Sequence, residues 1–400
     1  MQCELGRNDM EGIEARAETT PARPSGTVSA RYYRPELDWL RFLAFCLVFI
    51  LHGFAFETAD YVAMGVSSQV AEFVCVPLVL AGGYGVDLFF ALSAFLITQL
   101  LLMERDRTGT VHIRSFYIRR VLRIWPLYFA FVLVAAAIEI LWRNNSYQYY
   151  GSLVLFVCNW YAMFLQVPDT VTGHLWSISV EEQFYLVWPL LLAKAKPFRF
   201  VQILIGMFVF TCVYRIFCIY WAWPEQSPVW INTLAHLDSF ALGGLLACLL
   251  HWRSITLARG WRALLLLVAL AIYWRLGQYP IGGYFGVYPA WTYPLAAFAS
   301  TLSIAAFCAG VPGARIGNLK RSLSYLGKIS YGLYVFHLPV IHFAKVLIPI
   351  GPESSPWLWV ARTALAATAT LAVSAASYAL LEKPFLRMKE RFTYVKSRPE

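Results

Sequence analysis

In the apolar run LDWLRFLAFCLVFILHGF, residues 37–54, an arginine and a histidine lie eleven positions apart, at Arg41 and His52. An ionisable residue deep in a membrane span is costly and is by default a functional candidate. His52 has the chemistry of a general base or a nucleophile, and Arg41 that of an anion clamp. At about 100° and 1.5 Å per residue, the spacing amounts to three turns plus roughly 20° and about 16 Å. Both side chains therefore share one helix face, with Asp38 one turn before Arg41 on the same stripe. The bland alternatives are a snorkelling Arg41 paired with Asp38, and a His52 that hydrogen-bonds only for packing.

The second chemical stretch is HLWSISVEEQFYLVWP, residues 174–189. Two adjacent glutamates at the mouth of a span are expensive. Ser179 and Glu182 fit a capping box, which gives Glu182 a structural task and leaves Glu181 as the better chemical candidate. With His174 beside them, these residues and His52 are expected to converge. A carboxylate next to an imidazole fixes its tautomer and raises its basicity, as acyl-transfer sites require. In FYIRRVLRIWPLYF, residues 116–129, Arg119, Arg120 and Arg123 crowd one end of another span. They serve as topological anchors or as a seat for phosphates, whose oxygens match guanidinium forks.

Three further polar intrusions complete the candidate binding set: Asp87 in GGYGVDLFFALSAFLIT, Asp238 in HLDSFALGGLLA, and His337 in YGLYVFHLPV. Helix capping is the bland account of Asp87, and a helix–helix hydrogen bond that of the other two.

These residues must be positioned by membrane helices. Of the 400 residues, 59% are apolar, 14% charged and 16% aromatic, and the mean hydropathy is +0.56. A soluble chain of this size needs more charge on its surface. The net charge of +10 does not form the single patch that nucleic acid requires; basic residues recur as short clusters between apolar runs. The eight cysteines are scattered without a CxxC pair and read as small buried hydrophobes, with no metal site implied.

Spans need roughly 20 apolar residues. Candidates fall near 37–56, 85–103, 121–142, 177–193, 199–221, 236–252, 261–276, 290–310, 329–350 and 358–381, which makes ten. An eleventh run, 150–166, is shorter and broken by Asn159. If it does not cross, the Lys/Arg clusters all fall on one side, and the loops 223–228, 277–289 and 351–356 hold no lysine or arginine. The positive-inside rule then predicts an all-α bundle of about ten spans with both termini cytoplasmic, and 150–166 as an outer re-entrant or interfacial element. The expected organisation is a disordered cytoplasmic arm over 1–31, a membrane domain over 32–390 and a cytoplasmic tail over 391–400. No cleavable signal peptide is evident, so the first run is expected to act as start-transfer helix.

Taken in order, Arg41 with His52, GVDLFFALSAF, FYIRRVLRIWPLY, WSISVEEQFYLVWP, LDSFALGGLLA, YGLYVFH and LEKPF (Glu382–Phe385) resemble the acyltransferase-3 family of membrane O-acyltransferases, over roughly 32–390. Trp39 stands where the family usually has glycine, and Ala94 replaces the glycine of its usual LSGF. The resemblance implies an acyltransferase, of groups other than amino-acyl, in the bacterial cytoplasmic membrane. It implies transfer of an acyl group, commonly acetyl from acetyl-CoA as co-substrate, to a hydroxyl of a glycan or a secondary metabolite. No permanently bound cofactor is expected. Partners are the lipid bilayer, the acyl-CoA donor and a saccharide or small-molecule hydroxyl acceptor, with no nucleic acid. The chain resembles the stand-alone type without an appended SGNH domain.

On this reading Arg41, Arg119, Arg120 and Arg123 hold CoA, and His52 either takes the acyl group or acts as base on the acceptor. The rival from another class is a secondary transporter of a saccharide-like solute, for which no internal repeat speaks. GxSxG and HExxH motifs are absent.

Overall fold

The computed structural model describes residues 32–143, 147–165, 170–222, 228–253, 255–279, 287–310, 318–351 and 354–395. The arm expected over 1–31 lies outside the described residues, as do 223–227, 280–286 and 352–353 of the loops that lack lysine and arginine.

Every described element is helical. Ten long helices coincide with the ten apolar runs: α1 (Pro35–Gly53), α2 (Gly85–Thr108), α3 (Ile113–Arg143), α4 (Trp176–Lys194), α5 (Pro197–Phe217), α6 (Leu237–Trp252), α7 (Arg259–Leu276), α8 (Pro289–Cys308), α9 (Ser330–Leu347) and α10 (Pro356–Ser377). Proline opens α1, α5, α8 and α10, at the position where its missing N–H would have no intrahelical partner anyway. α2 ends on Gly109, whose φ of 74° is the left-handed stop that glycine adopts at least cost.

By length and composition, six segments are able to cross a membrane: 68–108, 113–139, 197–221, 233–252, 289–308 and 356–392. The protein is a multi-pass, all-α membrane protein. The other four helices carry the polar residues that dilute them: Glu36, Asp38 and Arg41 in α1; Glu181 and Glu182 in α4; Arg259, Arg262 and Arg275 in α7; His337, His342 and Lys345 in α9. Three of these four bear candidate site residues.

The run 150–166 is not one helix. It forms Tyr147–Val154 and Cys158–Phe164, turned at Phe156, whose φ is 54°. At 1.5 Å per residue neither piece exceeds about 12 Å, far short of the roughly 30 Å of hydrocarbon.

α2 is the axis of the bundle, packing on α1, α4, α6 and α8. In the segment 68–108, 72% of the most apolar stretch is buried inside the protein, against 17% in 356–392. The α2–α6 crossing is close because Gly243 faces the backbone of Ala91: a Cβ there would run into the Ala91 carbonyl oxygen. This contact brings Asp87 and Ser93 on α2 next to the residues of α4 and α6. The start of α4, α1 and α9 then close around the same space.

Candidate active site

Three cavities run in series through the bundle. The first is lined by Glu104, Arg119, Arg120, Arg123, Lys389 and Tyr394. It adjoins a second, which shares Arg120 and Arg123 and adds Arg41, Ser93, Glu181 and Tyr185. The third holds His52, Asp87, His174 and His236, and shares Val86 and Tyr334 with the second. Arg41 and His52, on one stripe of α1, therefore face consecutive cavities.

At the histidine end three imidazoles pack ring to ring. His337 lies 5.1 Å from His52 and 4.9 Å from His174, centroid to centroid. Each ring has one nitrogen on a backbone carbonyl: His52 Nδ1 on Val48 O at 2.9 Å, His174 Nε2 on Val335 O at 3.1 Å, and His337 Nδ1 on Tyr334 O at 2.6 Å. A carbonyl oxygen can only accept, so the facing nitrogen carries the proton, and in the neutral ring the other keeps its lone pair. His174 Nδ1 and His337 Nε2 are buried and meet no hydrogen-bonding partner among the described residues. His52 is half-buried and lines the cavity. The expected carboxylate–imidazole contact is not formed by these rings: backbone carbonyls set the tautomers instead.

At the arginine end, Arg119 donates to Glu104 Oε2 at 3.0 Å and to Phe392 O at 2.6 Å. Arg120 lies between the rings of Phe116 and Tyr185, 5.3 Å from each. Arg41 pairs with Asp38 at 3.2 Å, and Asp38 is buried beneath it. The binding candidates Arg41, Arg120 and Arg123 thus share one cavity, with Arg119 at its neighbour's wall. Residues 391–395, expected as tail, fold against this wall, and Val395 is buried.

The carboxylates are distributed differently from the sequence expectation. Glu181 faces the arginine cavity rather than the histidines, and accepts short hydrogen bonds from Ser93 and Tyr185. Glu182 turns the other way and accepts from Trp125 Nε1 at 3.3 Å. The capping box is absent, because the helix begins at Trp176 after a 3-10 turn over Gly173–Leu175. Ser179 is already inside the helix and meets Cys158 Sγ at 3.2 Å. Asp87 makes no capping bond; it accepts from Ser239 Oγ at 3.0 Å and faces His236 Nδ1 at 3.3 Å. Asp238 lies outside the three linings, in a fully buried ion pair with Arg215 at 2.7 Å. Its bland reading as a helix–helix contact describes what the structure contains.

Several participants escaped the sequence reading. In the third cavity it is His236 that meets a carboxylate, Asp87, and nothing in its place two residues before Asp238 marks it for that contact. Ser93, a small residue within the apolar LFFALSAF, donates its hydroxyl to Glu181. Tyr185, one turn after Glu181, was legible from the i,i+4 spacing. Tyr334, whose hydroxyl joins Ser177 and donates to His174 O at 3.0 Å, forms part of the wall between the second and third cavities.

The acyltransferase-3 family, described as an acyltransferase domain, matches residues 34–379. A putative O-acetyltransferase of Staphylococcus aureus is 33% identical over 186 residues, covering 42% of this chain and 31% of its own. The peptidoglycan O-acetyltransferase OatA of Listeria monocytogenes is 24% identical over 405 residues, covering 89% of this chain and 56% of its own. The putative peptidoglycan O-acetyltransferase YrhL of Bacillus subtilis is 26% identical, covering 76% and 50%. The chain thus spans about a third to just over half the length of these curated relatives. No solved structure matches it significantly.

Proposed function

The chain belongs to the acyltransferase-3 family, and from that premise we propose that it moves an acetyl group from acetyl-CoA to a hydroxyl of a saccharide. The observation that carries this reading is the row of three cavities, with guanidinium groups at one end and imidazole lone pairs at the other. Phosphates of the donor suit the first two cavities, where Arg119, Arg120, Arg123 and Arg41 supply forks for oxyanions. The pantetheine arm then points past Val86 and Tyr334 toward His52. The saccharide belongs in the outer cavity, where Trp176, Trp230 and Tyr279 offer ring faces for a sugar. Relatives named as peptidoglycan O-acetyltransferases support a glycan acceptor.

In this reading both substrates are bound together and transfer is direct. His52 Nε2 takes the proton of the acceptor hydroxyl as that oxygen attacks the thioester carbonyl. The C–O bond forms, the C–S bond breaks, and the departing sulfur receives the proton from His52. The lone pairs of His174 and His337 stand behind His52 while it carries the charge. In this reading ten spans cross the bacterial cytoplasmic membrane with both termini inside, so that the arginines would face the CoA pool and the histidines the exported glycans.

The test uses membranes, labelled acetyl-CoA and a peptidoglycan-type or exopolysaccharide acceptor, with wild type beside His52→Ala. Label on the glycan that disappears in His52→Ala supports the reading. Undiminished transfer in the variant removes His52 from it, and a trapped acetyl-His52 replaces direct transfer with a covalent relay.

A further inference from the structure

Pro339 lies inside α9, four residues after Val335. In an α-helix the N–H of residue 339 would donate to the carbonyl of residue 335, but proline has no N–H to give. Val335 is fully buried, and a buried carbonyl must find its donor elsewhere. His174 Nε2 supplies it at 3.1 Å, reaching across from the turn that precedes α4.

We propose that Pro339 is a positioning residue for acyl transfer, which acts by withholding a hydrogen bond. The carbonyl it leaves open fixes both the orientation and the tautomer of His174. The ring is then held with Nε2–H outward to α9 and its Nδ1 lone pair kept for the histidine cluster, where His337 is 4.9 Å away. An alanine at 339 would restore the backbone donor and close the helix's own ring, so that the Val335 oxygen is shared between two donors and holds the imidazole less firmly. The sequence HLP in α9 thus carries two parts of one device: His337 packs on His174, and Pro339 frees the acceptor that orients it. The inference rests on the reading that His174 belongs to the acyl-transfer machinery.

The experiment measures Pro339→Ala in the full-length protein in membranes. The expected result is a fall in kcat of about ten-fold or more, the scale seen when a partner that orients an imidazole is lost, with KM for acetyl-CoA unchanged. The thermal midpoint should stay level or rise, because alanine is the better residue for a helix interior. A second variant isolates the N–H. Lactic acid introduced at 339 by nonsense suppression has alanine's side chain but an ester in place of the amide, so it lacks the donor and the ring alike. It should return kcat to near wild type. Wild-type kcat in Pro339→Ala, a fall accompanied by a lower midpoint, or a lactate variant as impaired as alanine each overturns the proposal. His174→Ala is assayed beside them: full activity there refutes the role given to His174 and the inference with it. A loss there, with Pro339→Ala unaffected, refutes the inference about the proline alone.

Discussion

The two ends of the site hold their polar groups by opposite means. At the arginine end, side chains do most of the holding: Glu104 pairs with Arg119, which also donates to Phe392 O, and the faces of Phe116 and Tyr185 flank Arg120. At the histidine end, the three packed rings of His52, His174 and His337 are held by the backbone, through Val48 O, Val335 O and Tyr334 O. Side-chain partners tolerate adjustment to a ligand, whereas a helix carbonyl is fixed to within the rigidity of the helix. The first arrangement suits binding a flexible, multiply charged donor. The second suits placing a proton acceptor, where small displacements are costly.

That contrast can be broken from either end. His52→Ala should give the largest effect, a loss of about 100- to 10,000-fold in kcat, the usual worth of a general base, with KM for acetyl-CoA nearly unchanged. A comparable rise in that KM would erase the distinction between the ends. Arg120→Ala should do the reverse, raising KM for acetyl-CoA by roughly ten- to a hundred-fold, as expected when one charge-assisted hydrogen bond of about 1.5–3 kcal/mol is lost, while kcat changes little. Glu181→Gln sharpens the boundary, because Glu181 lies on the arginine side of Tyr334. It keeps an acceptor for Ser93 and Tyr185 but removes the charge, and the expected result is an effect of a few-fold, about 1 kcal/mol, on donor KM rather than on kcat. The smallest effect on turnover per folded molecule should come from Asp238→Asn, outside both ends. There the cost falls on folding, about 3–5 kcal/mol for uncoupling a buried pair, read as a lower thermal midpoint and lower membrane yield with normal specific activity.

Much of this architecture is legible in the residues. All ten helices follow from apolar length, and the polar dilution of α1, α4 and α9 marks three helices that bear candidate residues. The stripe joining Arg41 to His52 follows from helix geometry alone. The partners of the polar groups were harder to read. Glu181 and Glu182 are adjacent in sequence, so they diverge by about 100° on a helix, and one faces a cavity while the other meets Trp125. A capping box was plausible for Ser179 only if the helix began there, and the turn at Gly173–Leu175 starts it earlier. His236 and Arg215 needed the α2–α6 and α5–α6 contacts to become visible. The carbonyls that His52 and His337 use lie four and three residues earlier on their own helices, within reach of helix spacing, whereas no periodicity announces that of His174, because Val335 is 161 residues away.

The stretch that ends the described chain has a practical side. Tyr394 stacks on His112 at 4.1 Å, and Lys389, Thr393 and Tyr394 border the first arginine cavity. An environment-sensitive fluorophore at Thr393 would sit where the nucleotide half of a donor is expected to arrive. Occupancy could then be followed in real time without a radioactive label, while a bulky fusion placed nearby would obstruct the measurement.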